Sequence, residues 1–425
     1  MRDGLRPPIA LDSRVVAAGA VRTRLAPLAN PRYRLLFLAT LGSGIGNWLA
    51  LIALQVDVYD RTSSGWWVGA LLVATILPSI FLGILFGPLV DRLSRKALMI
   101  ASDLCRLAVF AVLPFTTSAA AVVALAVVAG IGNAFFRPAV LAGLPNLVRD
   151  AELPQANALL QLVEWGTTAA APIAGGAIVA ASGPDAVYAV NAVTFAISAA
   201  LVVLIPGRLL QSERAIGRGH WGDLRDGIAA VRRSRQLVAV VVAWGIAMAA
   251  GGAVNLGEIF LAKETFDAGD FGFGLLWGGT GAGYVIGGLY ASTVILKLGV
   301  ARAYVAALAV FASGVLLAGL SPNIWVATLA MLVSGLGNGT AIVANIVLVQ
   351  RGAPDRLRGR AFTLLMSITY GTMGIGLLAA GPAADAVGAR WVYVASSALI
   401  AVAAAAGGML LRGVKIDAAP IAEAA

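Results

Sequence analysis

Four charged side chains stand inside long apolar runs of this 425-residue chain: Asp103, Arg106, Arg137 and Glu164. A charge at such a place costs about 2.5 to 3.5 kcal/mol on the insertion scale, so each needs a partner or a water-filled cavity. Asp103 and Arg106 lie three residues apart on one helical face, where they can neutralise each other as a structural ion pair. Arg137 and Glu164 belong to successive runs, about eleven and about eight residues from the ends joined by a short loop. At a rise of ~1.5 Å per residue they reach similar depth and can meet. A carboxylate whose cation partner moves as a cavity opens can exchange a proton, because burial and opposite charge act in opposite directions on its protonation. Glu164 is the first candidate for that exchange, and a static pair with Arg137 is the alternative.

The elements that must position these groups follow from composition. The chain is 60% hydrophobic and 12% charged with a mean hydropathy of +0.88, whereas soluble domains are about 45 to 50% apolar and about 25% charged. Crossing a ~30 Å hydrocarbon core takes about 20 apolar residues as a helix, and only helices or closed barrels satisfy their backbone there. The runs are continuous rather than alternating, which selects helices. Twelve spans are expected, near 35–58, 66–90, 97–117, 119–148, 156–182, 185–206, 236–262, 271–296, 301–320, 323–349, 361–384 and 389–411. The predicted fold class is an all-α membrane protein of two pseudo-symmetric six-helix halves, 35–206 and 236–411, with a basic tail (1–34), a linker (207–235) and a second tail (412–425). With both tails on the cytoplasmic side, 26 Lys and Arg fall in tails and inner loops and three in outer loops, Arg61, Lys263 and Arg390. That bias sets the orientation.

The same bias explains the net charge of +10 through anionic lipid headgroups, without a nucleic-acid partner. The 27 Arg against 4 Lys, with abundant Ala and Gly, hint at a GC-rich bacterial genome and hence a bacterial cytoplasmic membrane. Residues 1–34 carry seven Arg and only a short apolar stretch, Val15 to Val21, too interrupted for a signal-peptide core. Cys105 is the only cysteine, which leaves no disulfide within the chain and argues against a thiol metal site. The only histidine is His220, in the linker, and no lysine follows a glycine. A metal centre, a His-based triad and a phosphate loop are therefore not expected, nor is any cofactor. A membrane enzyme would cluster nucleophiles or carboxylates on a loop, and no loop here does so.

A shift of 205 residues aligns Gly130 with Gly335, Gly132 with Gly337, Asn133 with Asn338, Gly176 with Gly381, Gly183 with Gly388 and Tyr188 with Tyr393. Spans 4 to 6 then repeat as spans 10 to 12, as two parallel six-helix halves require. Between the halves, Gly222 to Ser234 is expected as a short amphipathic helix at the inner surface.

The stretch Gly87 to Lys96 reads Gly-x-x-x-Asp-Arg-x-x-Arg-Lys and resembles the signature of major facilitator superfamily transporters between their second and third helices, with Ser94 where that family usually has glycine. The resemblance implies a cytoplasmic latch built from Gly87, Asp91, Arg92, Arg95 and Lys96. Asp91 would face the positive N-terminus of span 11, a contact worth roughly 0.3 to 1 kcal/mol, and Arg95 would pair with Asp150 or Glu152. Pro172 with Gly175 and Gly176 resembles the Gly-Pro-x-x-Gly-Gly motif of drug and metabolite exporters of that superfamily, with Ala171 in place of the first glycine. A proline kink and a glycine face for close helix approach are what such a segment supplies, and helix packing alone is the plainer reading. Arg351 to Arg360 and Pro145 to Asn157 resemble the corresponding loops of macrolide, tetracycline-type and siderophore exporters.

Asn47, Gln55, Gln161, Asn255, Asn338 and Asn345 are candidates to line a central cavity, with Trp48, Trp165, Trp244 and Trp277. Asp57 and Glu258 occupy equivalent positions near the outer ends of spans 1 and 7, where solvation is expected. Gly279, Gly283 and Gly287 give span 8 a smooth face. The expected function is a monomeric secondary transporter in the lipid bilayer that exports a small, amphipathic molecule in exchange for protons. Uptake of a metabolite and a non-transporting sensor or scaffold are the alternatives.

Overall fold

A computed structural model describes residues 25–85, 94–149, 152–210, 231–353 and 358–414. Those residues form twelve long helices: α1 (Pro31–Thr62), α2 (Gly65–Leu85), α3 (Arg95–Val112), α4 (Ala119–Gly143), α5 (Leu153–Ser182), α6 (Pro184–Val203), α7 (Arg235–Phe260), α8 (Gly269–Leu298), α9 (Val300–Leu320), α10 (Ile324–Gly352), α11 (Arg358–Val387) and α12 (Ala389–Leu411). Eleven of them are long and apolar enough to cross a membrane, and α2 counts as apolar over Gly65–Pro78. No strand occurs among the described residues. The latch residues Gly87, Asp91 and Arg92, together with Asp150 and most of the expected linker helix, lie outside the described residues.

Local chemistry sets where the helices begin. Ser94, Ser118, Ser234 and Asn323 each accept a backbone N–H of the first turn through the side chain, ahead of α3, α4, α7 and α10. Gly183 and Gly388 each join two helices as a single residue, at φ +77° and +81°. A β-carbon strains that conformation, which is why both copies of the repeat hold glycine there.

Within the first half α1 packs on α5 and α6, α4 on α2 and α3, and α3 on α6; the second half repeats each pairing six helices later. The register repeats as well. Gly130 leaves room for Thr75 and Pro78 of α2, and Gly335 for Thr280 and Gly283 of α8. Gly132 faces Ser102 and Arg106 of α3, and Gly337 faces Ala307 and Phe311 of α9. Each of these partners is carried onto its counterpart by the same shift of 205 residues. The first helix of each half runs four residues out of that register: Gly44 approaches Thr167 as Gly245 approaches Thr372. The halves meet along two long seams, α5 with α8 and α2 with α11.

Glycine makes the first seam possible. A β-carbon at Gly176 would stand 3.0 Å from the Gly274 backbone, and one at Gly281 would stand 2.7 Å from the Thr168 carbonyl carbon. The expected face of α8, Gly279, Gly283 and Gly287, packs on α10 within its own half. A second face, Gly274, Gly278 and Gly281, meets α5 across the halves.

Candidate functional site

A cavity of about 680 Å³ is lined by α1, α2, α3, α4 and α5 together with Tyr370 of α11. Ser43 and Asn47 stand one turn apart on α1 and both hold Arg106, which donates from Nη1 to Ser43 Oγ at 3.0 Å and to Asn47 Oδ1 at 3.4 Å. Arg106 Nη2 donates to Asp103 Oδ1 at 2.5 Å, and the Ser198 hydroxyl donates to Asp103 Oδ2 at 2.7 Å. The guanidinium lies 4.2 Å from the centre of the Phe195 ring and 4.8 Å from that of Phe136. Both members of the pair are buried, and Gly132 admits the arginine stem, since a β-carbon there would sit 2.9 Å from its Cγ. Asn47 Nδ2 also donates to Asn133 Oδ1 at 3.3 Å, extending the network across the cavity wall. Ser43, Asn133, Ser198 and Tyr370 were not legible as site residues, although the i, i+4 spacing of Ser43 and Asn47 offered a signal.

Arg137 and Glu164 meet, with Nη2 to Oε2 at 2.6 Å, and their side chains remain 61% and 40% exposed. This pair therefore faces open space, unlike Asp103 and Arg106. Of the six expected cavity residues, Asn47 and Gln161 line this cavity. Gln55, Asn338 and Asn345 are buried instead, Gln55 donating to the Leu51 carbonyl and Asn338 to the Tyr284 hydroxyl. Asn255 is outside the lining. A buried amide finds a partner between helices as readily as in a cavity, and spacing does not separate the two. Trp48 and Trp277 touch across the halves, with ring centres 5.7 Å apart. Gly175 faces Leu49 of α1, and the carbonyl of Pro172 would lie 2.6 Å from a β-carbon at Gly274. The exporter-like segment thus sits where both cavity wall and seam depend on it.

The two ends of the bundle differ. At the end away from the chain's tails, Lys263 Nζ donates to Asp60 Oδ1 of α1 at 2.5 Å and forms an ion pair with Asp270 Oδ1 at 2.8 Å, and Tyr59 donates to Glu264 Oε1 at 2.7 Å. The backbone N–H of Gly65, first residue of α2, donates to Asp385 Oδ1 of α11 at 3.1 Å. Gly65 and Gly381 approach so closely that neither tolerates a β-carbon. That end is shut. The cavity lining instead runs toward Thr40, Leu141 and Asn157, on the side of the tails.

At that end the basic residues of α3 reach main-chain carbonyls. Arg95 donates to the Ala142 carbonyl at 2.6 Å, while Glu152 pairs with Arg149, whose bond holds that carboxyl below the usual carboxylate range. Lys96 spans to the Val203 and Ile205 carbonyls at 2.6 Å each, so both basic residues tie α3 to carbonyls at the ends of neighbouring helices. Asp57 and Glu258 are buried, not solvated. The helix of Glu258 continues past Phe260 through a π turn, Leu261–Thr265, and the residue packs against Thr280 of α8.

Membrane-length helices in two repeated halves around a mainly apolar cavity with a few polar groups in its wall define a transporter of the major facilitator type. The chain belongs to the transmembrane secretion effector family of that superfamily, whose family model matches residues 22–423. Multidrug efflux pump Tap of Mycolicibacterium fortuitum is 27% identical over 388 residues, covering 85% of this chain and 91% of the pump. Macrolide efflux protein A of Streptococcus pyogenes is 22% identical over 368 residues, covering 83% of this chain and 89% of that protein. In fold, the chain matches a bacterial homologue of the iron transporter ferroportin in an inward-facing state, with a TM-score of 0.70 at 16% identity over 89% of this chain and 98% of that one.

Proposed function

We propose that this protein is a proton-coupled exporter of small amphipathic molecules, working by alternating access with twelve crossing helices as a monomer in a bacterial cytoplasmic membrane. The observation that carries this reading is the cavity: about 680 Å³, apolar over most of its wall, with Arg137 and Glu164 facing into it. A cavity of that kind suits a molecule with an apolar body and one polar or charged group. The similarity to a multidrug pump and a macrolide efflux protein supports outward transport of such compounds.

With both tails cytoplasmic, the shut end is the outer one and the cavity faces inward. Substrate enters between α1, α4 and α5, and its charged group competes for Arg137 or Glu164. Freed from Arg137 and wetted by the cavity, Glu164 trades its proton with the inner solution. Rocking of 35–206 against 236–411 then opens the outer end and closes the inner one, where Gly87, Asp91 and Arg92 form the latch with Arg95 and Lys96. Cells expressing the protein should accumulate less of a fluorescent amphipathic drug than cells lacking it, and a protonophore should abolish the difference. Equal accumulation with and without the protein, over a panel of such drugs, refutes export.

A further inference from the structure

Three described carboxylates, Asp57, Asp103 and Glu258, are buried. Asp57 has Arg61 at 2.6 Å and the Tyr188 hydroxyl donating at 3.0 Å, and Asp103 has Arg106. Among the described residues no ion pair includes Glu258.

The repeat shows what is missing. The four-residue offset of the first helix in each half places Glu258 at the position of Asp57 and Ala262 at that of Arg61, while Tyr393 repeats Tyr188. The second half therefore keeps the acid and the phenol and replaces the cation by a buried alanine. The Tyr393 ring lies against Gly257, its hydroxyl has no partner, and neither does Glu258 Oε2. Glu258 Oε1 lies 3.4 Å from Thr280 Oγ1, which is also 3.0 Å from the Leu276 carbonyl. A hydroxyl carries one proton, and the nearer acceptor is the carbonyl. The Thr280 hydroxyl, which Glu258 shares with that carbonyl, is thus a weak donor to the carboxyl.

The charged and titratable groups around it offer no cation. On the π turn, Lys263 is held by Asp60 and Asp270, and Glu264 by Tyr59. On α8 stand Asp270 and Tyr284; on α12, Tyr393 and Arg390, which donates to the Gly319 carbonyl; on α11, Asp385, which accepts from Gly65.

We infer that Glu258 is a proton-binding site loaded by closure of the outer end. This rests on the proton-coupled reading above and places a second proton site in the other half of the molecule. An isolated carboxylate is too costly to bury as an anion, whereas the neutral acid is not. As the outer end shuts, one proton passes from outer water to a Glu258 carboxylate oxygen and one negative charge disappears; as the end opens, the carboxylate rehydrates and the proton returns to water. The closed state holds one more proton than the open one. Lower pH therefore favours closure, by up to about tenfold per pH unit for a single site.

Thr117 and Pro322 are related by the repeat, exposed, and placed on the outer loops of the two halves. In a Cys105→Ser background, spin labels at cysteines replacing both residues report the width of the outer mouth. The short-distance population should rise as pH falls, with the slope of one proton. Glu258→Gln, which mimics the neutral acid, should stay closed at every pH, and Glu258→Asp should restore the titration. An unchanged pH response in Glu258→Gln overturns the assignment. In the wild type the infrared band of a protonated carboxylic acid should persist at neutral pH and shift in Glu258→Asp; its absence overturns the assignment even if the glutamine variant fails to fold. Drug export by vesicles separates this from the broader reading. If Glu258→Gln loses the distance titration while wild-type vesicles export nothing, the proton site stands and export falls. If the wild type exports down an imposed proton gradient and the variant keeps both responses, export stands and the site falls.

Discussion

Replacing Asp103 by leucine strands the positive charge of Arg106 in a site where the arginine is 1% exposed. The guanidinium then keeps its 3.0 Å bond to Ser43 and its 3.4 Å bond to Asn47 but loses the carboxylate at 2.5 Å. Removing one partner of a buried pair costs on the order of 3 to 5 kcal/mol, because the other charge is left uncompensated. The repeat supplies the compensating change: the equivalents of Asp103 and Arg106 are Leu308 and Phe311, which pack in the second half without any charge. Asp103→Leu alone should lower the thermal transition of the purified protein sharply, and Asp103→Leu with Arg106→Phe should recover most of the loss. The double variant still lacks the contacts of Arg106 to Ser43 and Asn47 on the cavity wall, so its drug export should stay reduced despite normal folding. A single variant as stable as the wild type refutes the uncompensated-charge argument, and a double variant no better than the single refutes the use of the repeat as a guide.

Gly281→Ala should weaken the α5–α8 seam by about 1 to 3 kcal/mol of overpacking, because the new β-carbon meets backbone at 2.7 Å; Gly166→Ala on the facing helix, with open space around it, should be neutral in the same melting and export assays. Lys263→Met removes the contacts to Asp60 and Asp270 at the shut end. Such partly exposed pairs contribute about 0 to 1 kcal/mol each, so the open population should grow several-fold, read as faster labelling of a cysteine replacing Asn255 in a Cys105→Ser background. Glu164→Gln should make export insensitive to an imposed pH gradient while binding of a cationic dye weakens; an unchanged gradient response rules Glu164 out as the inner proton site.

How much of this was legible in the sequence depends on the range of each interaction. The helices were readable because apolar runs of membrane length admit one local structure, and the meeting of Arg137 with Glu164 followed from a short loop and a fixed rise per residue. Arg95 donates to the Ala142 carbonyl at the end of α4, a main-chain partner that no side-chain pattern announces. The cross-half face of α8, Gly274, Gly278 and Gly281, shows a helical glycine spacing much like that of Gly279, Gly283 and Gly287, and nothing local says which neighbour each face meets. Asp57 and Glu258 are buried by groups distant in sequence, Tyr188 of α6 and Thr280 of α8, which no local pattern announces.

The two ends of the α2–α11 seam bear on how the molecule changes state. At the shut end an acid of α11, Asp385, accepts from the first N–H of α2, where the helix dipole favours negative charge. At the other end Asp91 follows α2 in sequence and α11 begins at Arg358, so the same device is available with the helices exchanged. If Asp91 forms the proposed latch, closing the seam at one end opens it at the other, and the two acids would mark the two ends of one rocking motion. The charges then divide by half. In the first half the acids of the bundle, Asp57, Asp103 and Glu164, each hold an arginine, and the cavity lies there. In the second half Glu258 stands without a cation at the end that shuts. On the readings proposed above, the second proton site, Glu258, would lie in the half opposite the cavity and its Arg137–Glu164 pair, so that rocking of the halves links the two.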